Sequence, residues 1–337
     1  AKTRSASADE APAYLHVLCD RLPDHFGAAR VLHYAAYDEF ILVFTDLTQA
    51  AAARDTLIAQ GFARCWIDEA LAHTCEETTD EAAAQPDRAA HSWGAEVMGL
   101  DAFRSSNAVQ KHTADRRVTV AVLDTGADLT VDVLRARGVS KHSFDFVNRT
   151  KKITDVTRGA SAGHGTRVAT LLDDLLPGEA ELMLLRVFAE DGATQRDVRL
   201  ALQYALEHGA DVINMSMGWD QGEHYSFLDD VLLRAYNEGV PVICAAGNSS
   251  ISAATEYPAN NEHTIAVSAV NRSLNYDQRS NYGSKIDFTV RYCNASAAVT
   301  STGYRIIFKE ETYNILGVDH MNYKNKAVKF LCQKVSR

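Results

Sequence analysis

From Arg117 to about Thr289, short runs that are apolar throughout alternate with longer segments that are apolar at helical spacing. The apolar runs are 118–123, 181–187, 212–215, 240–246 and 264–270; segments 166–176, 194–208 and 228–239 between them have the period of helices. A strand with no polar face needs cover on both sides, and a helical crossover makes successive strands parallel. The pattern predicts an α/β domain, a parallel sheet with helices on both faces. In such a sheet functional side chains gather at the carboxyl ends of the strands.

Upstream, residues 12–78 read as a small α+β unit. Segment 14–19 is a short apolar strand, 30–37 and 39–45 form a hairpin, and 48–60 is an Ala- and Leu-rich helix. Thr48 is the expected N-cap of that helix, Gly61 lies just past its end, and 62–68 returns as a strand. The acidic stretch 76–88, with Pro86 and few apolar anchors, is the linker candidate.

Bulk properties exclude several classes of function. A net charge of -10 argues against a nucleic-acid partner, which requires a basic face. No run approaches the roughly 18 apolar residues of a membrane span. The six cysteines contain no C-x-x-C pair, so no zinc site is expected. Cys244 reads as a small buried hydrophobe, and Cys65 with Cys75 are a possible pair in an oxidising compartment.

Three polar residues end or begin elements of the α/β segment. Asp124 closes V-T-V-A-V-L-D and precedes T-G; His164 sits in G-H-G-T before an apolar helical segment; Asn248 closes V-I-C-A-A-G-N. Singly, each has an ordinary role in a turn. Together with S-F-D-F-V-N, with L-L-R-V-F-A-E-D-G-A-T through D-V-I-N-M-S-M-G, and with Y-P-A-N-N-E-H-T-I-A-V and S-N-Y-G-S-K-I-D-F-T, the run resembles the subtilisin (subtilase) family of serine proteases.

The resemblance implies a subtilisin-like fold and peptide-bond hydrolysis by an Asp-His-Ser triad. Asp124 would orient His164, the general base and acid; Asn248 would donate to the oxyanion; Ser216, Met217 and Gly218 would form the edge along which substrate lies. Arg167 stands where the family usually has a second His, with little expected effect. Residues 12–78 resemble the family's propeptide inhibitor, and H-S-W-G-A-E-V-M-G-L-D-A-F resembles the start of a mature protease, which places a self-cleavage site in the linker. The expected division is a flexible start at 1–11, the propeptide-like unit at 12–78, linker and domain start at 79–112, an incomplete catalytic domain at 113–290 and a divergent tail at 291–337. Expected partners are polypeptide substrates and the chain's own propeptide-like unit. Calcium is allowed by the resemblance, with no oxygen-ligand loop distinctive enough to assign, and a secreted or periplasmic setting is favoured.

The resemblance stops after Thr289. The family continues with A-P-G and later G-T-S-x-A-x-P, whose serine starts a long buried helix; here V-R-Y-C-N-A-S-A-A-V-T-S-T-G follows and G-T-S occurs nowhere. Ser296 is the nearest candidate, with Tyr292 and Ala298 in family-like places, but it follows F-T too closely, and Ser301 is weaker. Lys285 to Arg337 holds nine basic and four acidic residues, a charge of +5, so the preceding residues carry -15. A shifted reading frame, a replaced segment or an insertion is the expected cause, a diverged family member with its own C-terminal element the alternative. Without the serine helix, apolar surface is left uncovered and the main domain is expected to be marginally stable, unless 304–335 fills the place.

Overall fold

A computed structural model describes residues 12–35, 38–68, 70–71, 95, 100, 117–159, 161–176, 180–220, 226–253, 256–270, 277–283 and 286, and the backbone of four later strands. The chain divides into two compact units near Ala70. The expected boundary at 78 and the linker at 76–88 lie outside the described residues, as do most of 79–112, Cys75, Ser296 and Ser301.

The first unit is a four-stranded antiparallel sheet in the order β2-β3-β1-β4, built from β1 (Ala13–Leu18), β2 (Arg30–Tyr34), β3 (Glu39–Phe44) and β4 (Cys65–Ile67). Helix α1 (Leu47–Ala59) supplies Ala50, Ala53 and Leu57 to a core with Leu15, Val17, Leu42, Phe44 and Ile67. Its N-cap is Asp46 rather than the expected Thr48. The Asp46 carboxylate accepts the Gln49 N–H at 2.9 Å, and the Gln49 side-chain amide reaches back to the same carboxylate at 2.6 Å. The cap thus lies two residues earlier than the apolar pattern suggests. On the other side of the sheet His16 is buried, its Nδ1 2.7 Å from Glu39 Oε1 and its ring stacked on Trp66.

The second unit holds a six-stranded parallel sheet. Its strands are β5 (Val118–Asp124), β6 (Phe144–Asp145), β7 (Ala180–Arg186), β8 (Val212–Met215), β10 (Val242–Ala245) and β12 (Ile265–Val267), in the order β12-β10-β8-β5-β7-β6. The short strands β9 (Trp219–Asp220) and β11 (Glu256–Tyr257) pair antiparallel beside it. Helices α2 (Asp132–Arg137), α3 (His164–Leu175), α4 (Gln195–Glu207) and α5 (Asp229–Glu238) lie between strands. Val120, Val122, Leu182 and Leu184 pack with Leu134 of α2 and Ala169 of α3. The alternate residues Ala121, Leu123, Met183 and Leu185 point to the opposite face and are equally buried. The sheet is therefore covered on both sides, as continuous apolar strands require.

From the central strand β5 the chain builds outward to β6 and β7, then crosses to β8, β10 and β12. That reversal beside β5 opens a crevice at the carboxyl ends of the strands, the usual ligand position of doubly wound sheets. Asp124 is the last residue of β5.

Among the described residues, the tail supplies strands and no helix. Strands β13 (Phe288–Arg291), β14 (Arg305–Phe308), β15 (Glu311–Asp319) and β16 (Ala327–Lys334) form an antiparallel sheet in the order β13-β16-β15-β14. The runs R-I-I-F and A-V-K-F-L-C thus pair within the tail's own sheet, and β13 runs through the expected boundary at 290/291.

Candidate active site

Glycine permits the approach that makes this site. Gly165, second residue of α3, sits so close to the loop after β5 that a Cβ there would lie 2.1 Å from the Gly126 carbonyl oxygen. A Cβ on Gly126 would fall 2.0 Å from the Thr154 carbonyl oxygen. A larger residue at 165 would push the start of α3 off the strand end, and one at 126 would displace the backbone at Thr154. With both glycines present, Asp124 and His164 meet: His164 Nδ1 is 2.7 Å from Asp124 Oδ1. Asp124 is 2% exposed and His164 19%, so the carboxylate is sealed and the imidazole reaches the surface. Facing a carboxylate, Nδ1 carries the proton and Nε2 keeps its lone pair.

Asp155, given no role from the sequence, joins the two elements. Its Oδ1 accepts the Thr125 hydroxyl at 2.5 Å and the Val156 N–H at 2.7 Å; its Oδ2 accepts the Thr166 N–H at 2.9 Å and the Thr166 hydroxyl. Thr125 Oγ1 in turn accepts the Gly165 N–H at 2.8 Å. Orphan donors in the first turn of α3 are therefore satisfied by Thr125 from the loop after β5 and by Asp155 from the segment before the helix, with no side-chain bond from the N-cap, Gly163. An Asp nine residues before a His carries no local pattern that would have flagged it. Arg167 is exposed and donates to the Ala162 carbonyl at 3.0 Å, outside this network.

Asn248 lies just beyond β10 with its side chain exposed. The segment around it is fixed by buried Asn281: its Oδ1 accepts the N–H groups of Ser249 and Ile251 at 3.0 and 3.1 Å, and its own N–H donates to the Gly247 carbonyl at 2.8 Å. S-N-Y-G is part of the family-like sequence, yet nothing in its spacing reveals that its Asn clamps a loop 30 residues earlier. Ser216, Met217 and Gly218 connect β8 to β9, with the Ser216 hydroxyl accepting the Asn214 amide at 2.9 Å. The Met217 side chain is 3% exposed.

Among the described residues, no three His, Cys, Asp or Glu side chains gather as a metal site. Burial pushes the thiols of Cys19 and Cys65 above the ordinary range. No described helix is long and apolar enough to cross a membrane.

Residues 115–303 match the subtilase family. The thermophilic serine proteinase of Bacillus sp. (strain AK1) is 31% identical over 195 residues, which is 55% of this chain and 46% of that protein. Subtilisin NAT of Bacillus subtilis subsp. natto is 29% identical over 235 residues, covering 66% and 59%. The chain thus spans about half the length of these curated relatives. The crystal structure of the epidermin leader peptide processing serine protease from Staphylococcus aureus shares the fold, with a TM-score of 0.55 at 17% identity over 82% of this chain and 73% of that one. With more than half of its residues matched, and with a parallel sheet of the subtilisin kind, the chain belongs to the subtilase family of serine proteases.

Proposed function

We propose that the crevice is the substrate groove and proton-transfer apparatus of a serine endopeptidase, in a chain where the family's serine motif is missing. The carrying observation is the 2.7 Å contact between buried Asp124 and His164 at the mouth of the parallel sheet. In this reading Asp124 holds the imidazole in one orientation and tautomer. His164 Nε2 takes the proton of an attacking hydroxyl and returns it to the leaving amine. The Asn248 amide donates to the oxygen that becomes negative, an interaction worth about 10²–10³ in rate for one such donor in a subtilisin. Ser216, Met217 and Gly218 present their backbone to an extended polypeptide by strand addition. The propeptide-like unit before Ala70 belongs to the same proposal as the chain's own inhibitor, and a secreted or periplasmic setting goes with it.

A second reading is favoured by one observation, the antiparallel strands that follow Phe288 where the family has a serine-bearing helix. Asp124 and His164 without a hydroxyl cannot form an acyl-enzyme. As it stands, the chain then binds polypeptide and leaves it intact. A fluorophosphonate probe with intact-mass readout separates the two. We expect no adduct on the folded chain; an adduct on Ser296 or Ser301 makes it a complete protease, and the silent reading fails.

A further inference from the structure

We propose that Glu256 selects polypeptides with a lysine or arginine at the residue whose carbonyl faces Asn248. The inference rests on the groove reading above and adds the class of substrate.

Strands β8 and β10 are parallel neighbours, with Met215 opposite Cys244. Their extensions, 216–218 and 246–248, therefore leave the sheet side by side at its carboxyl end; in the groove reading they are its two walls. Glu256 reaches them from β11, which pairs with β9 so that Glu256 stands opposite Asp220. Both walls are glycine where the carboxylate passes. A Cβ on Gly218 would be 2.4 Å from Glu256 Oε1, and one on Gly247 would be 2.9 Å from Oε2. One carboxylate thus touches the backbone of the peptide edge and the backbone beside the oxyanion amide. It is 1% exposed, and Asn281 Nδ2 donates to its Oε2 at 3.3 Å. Asn281 also clamps the segment around Asn248, so the negative charge and the oxyanion amide share one support.

A peptide running along 216–218 with a carbonyl at Asn248 directs the side chain of that same residue between the two walls. A long cationic side chain entering there adds a charge-assisted hydrogen bond to Glu256. A neutral one adds no charge, and an acidic one meets like charge in a desolvated cleft. Arginine and lysine also keep an apolar stem against the walls while the charged head reaches the floor.

The test is binding, which needs no nucleophile. Fluorescein-labelled Ala-Ala-Pro-Arg-amide and its citrulline analogue are titrated by anisotropy into the whole chain, with the amide resonances of Gly218 and Gly247 followed by NMR. We expect the arginine peptide to bind about ten- to a hundredfold more tightly, the range of a charged hydrogen bond. Glu256→Gln should bring the two peptides to equal affinity. Equal affinity on the unaltered chain, with both glycine signals shifting, overturns the role of Glu256 and leaves the groove reading standing. An arginine preference that persists in Glu256→Gln overturns it as well. If no peptide shifts either glycine, the groove reading fails and takes this inference with it. Should Glu256→Gln not fold, the arginine-to-citrulline comparison on the unaltered chain decides.

Discussion

Asp155 uses both carboxylate oxygens to hold the start of α3 against the loop after β5, through Thr125, Thr166 and, one bond further, Gly165. None of these bonds touches a substrate position, so Asp155 is a positioning residue for His164. Replacing it by alanine strands several donors at once. We expect Asp155→Ala to cost about 3 kcal/mol, the size of losing a charged acceptor from a partly buried network, read as a lower urea midpoint. The downfield Nδ1 proton of His164 should also weaken or vanish, whereas a defect confined to stability leaves that signal unmoved in the fraction still folded. Asp124 and His164 were legible because each ends or begins a strongly patterned element. Asp155 and Asn281 were not, because what they bond lies on other segments: neither residue's neighbours in sequence give a reason for it to be polar. The cap of α1 fell between these cases. Thr48 stood nearest the apolar pattern, but Asp46 makes the stronger acceptor, and its partner Gln49 sits at the right spacing.

At the scale of elements, α5 is anchored at its N-terminus to β11 through Tyr257. The phenol, 1% exposed, donates to Asp229 at 3.0 Å and accepts the Leu228 N–H at 3.1 Å. Burial, and then the neighbouring Asp229 carboxylate, push its pKa well above the ordinary value near 10. In the unfolded chain that value is ordinary, so the folded state holds the proton more tightly. The stabilisation is complete below about pH 10 and drains away as pH rises beyond it. Urea midpoints measured between pH 8 and 11 should fall across that window, and Tyr257→Phe should remove its share of the fall while lowering stability at pH 8. Most strands and helices lie within a few residues of where periodicity put them: 118–123 is Val118–Asp124, 228–239 is Asp229–Glu238, and 212–215 needs no change. Fully apolar strands leave few alternatives. Segments 62–68 and 264–270 shortened to three residues each, since side chains suited to a strand do not fix where its partner ends.

For the whole molecule, the net charge changes sign along the chain, -15 before Lys285 and +5 from there on, while the subtilase match runs on to residue 303. Reading the encoding DNA past codon 289 in the other two frames is expected to recover G-T-S-x-A-x-P; its absence from both frames would leave a separate C-terminal element as the account. The antiparallel order of the tail was beyond the sequence, because R-I-I-F and A-V-K-F-L-C state only that they are strands. Strand β13 gives this region a practical consequence. Phe288 to Arg291, inside the stretch that matches the family, is stitched along its length to Lys329 and its neighbours near the end of the chain. Grafting a serine-bearing segment onto residue 291 would leave that stitching in competition with the graft, so a splice meant to restore hydrolysis has to begin ahead of Phe288.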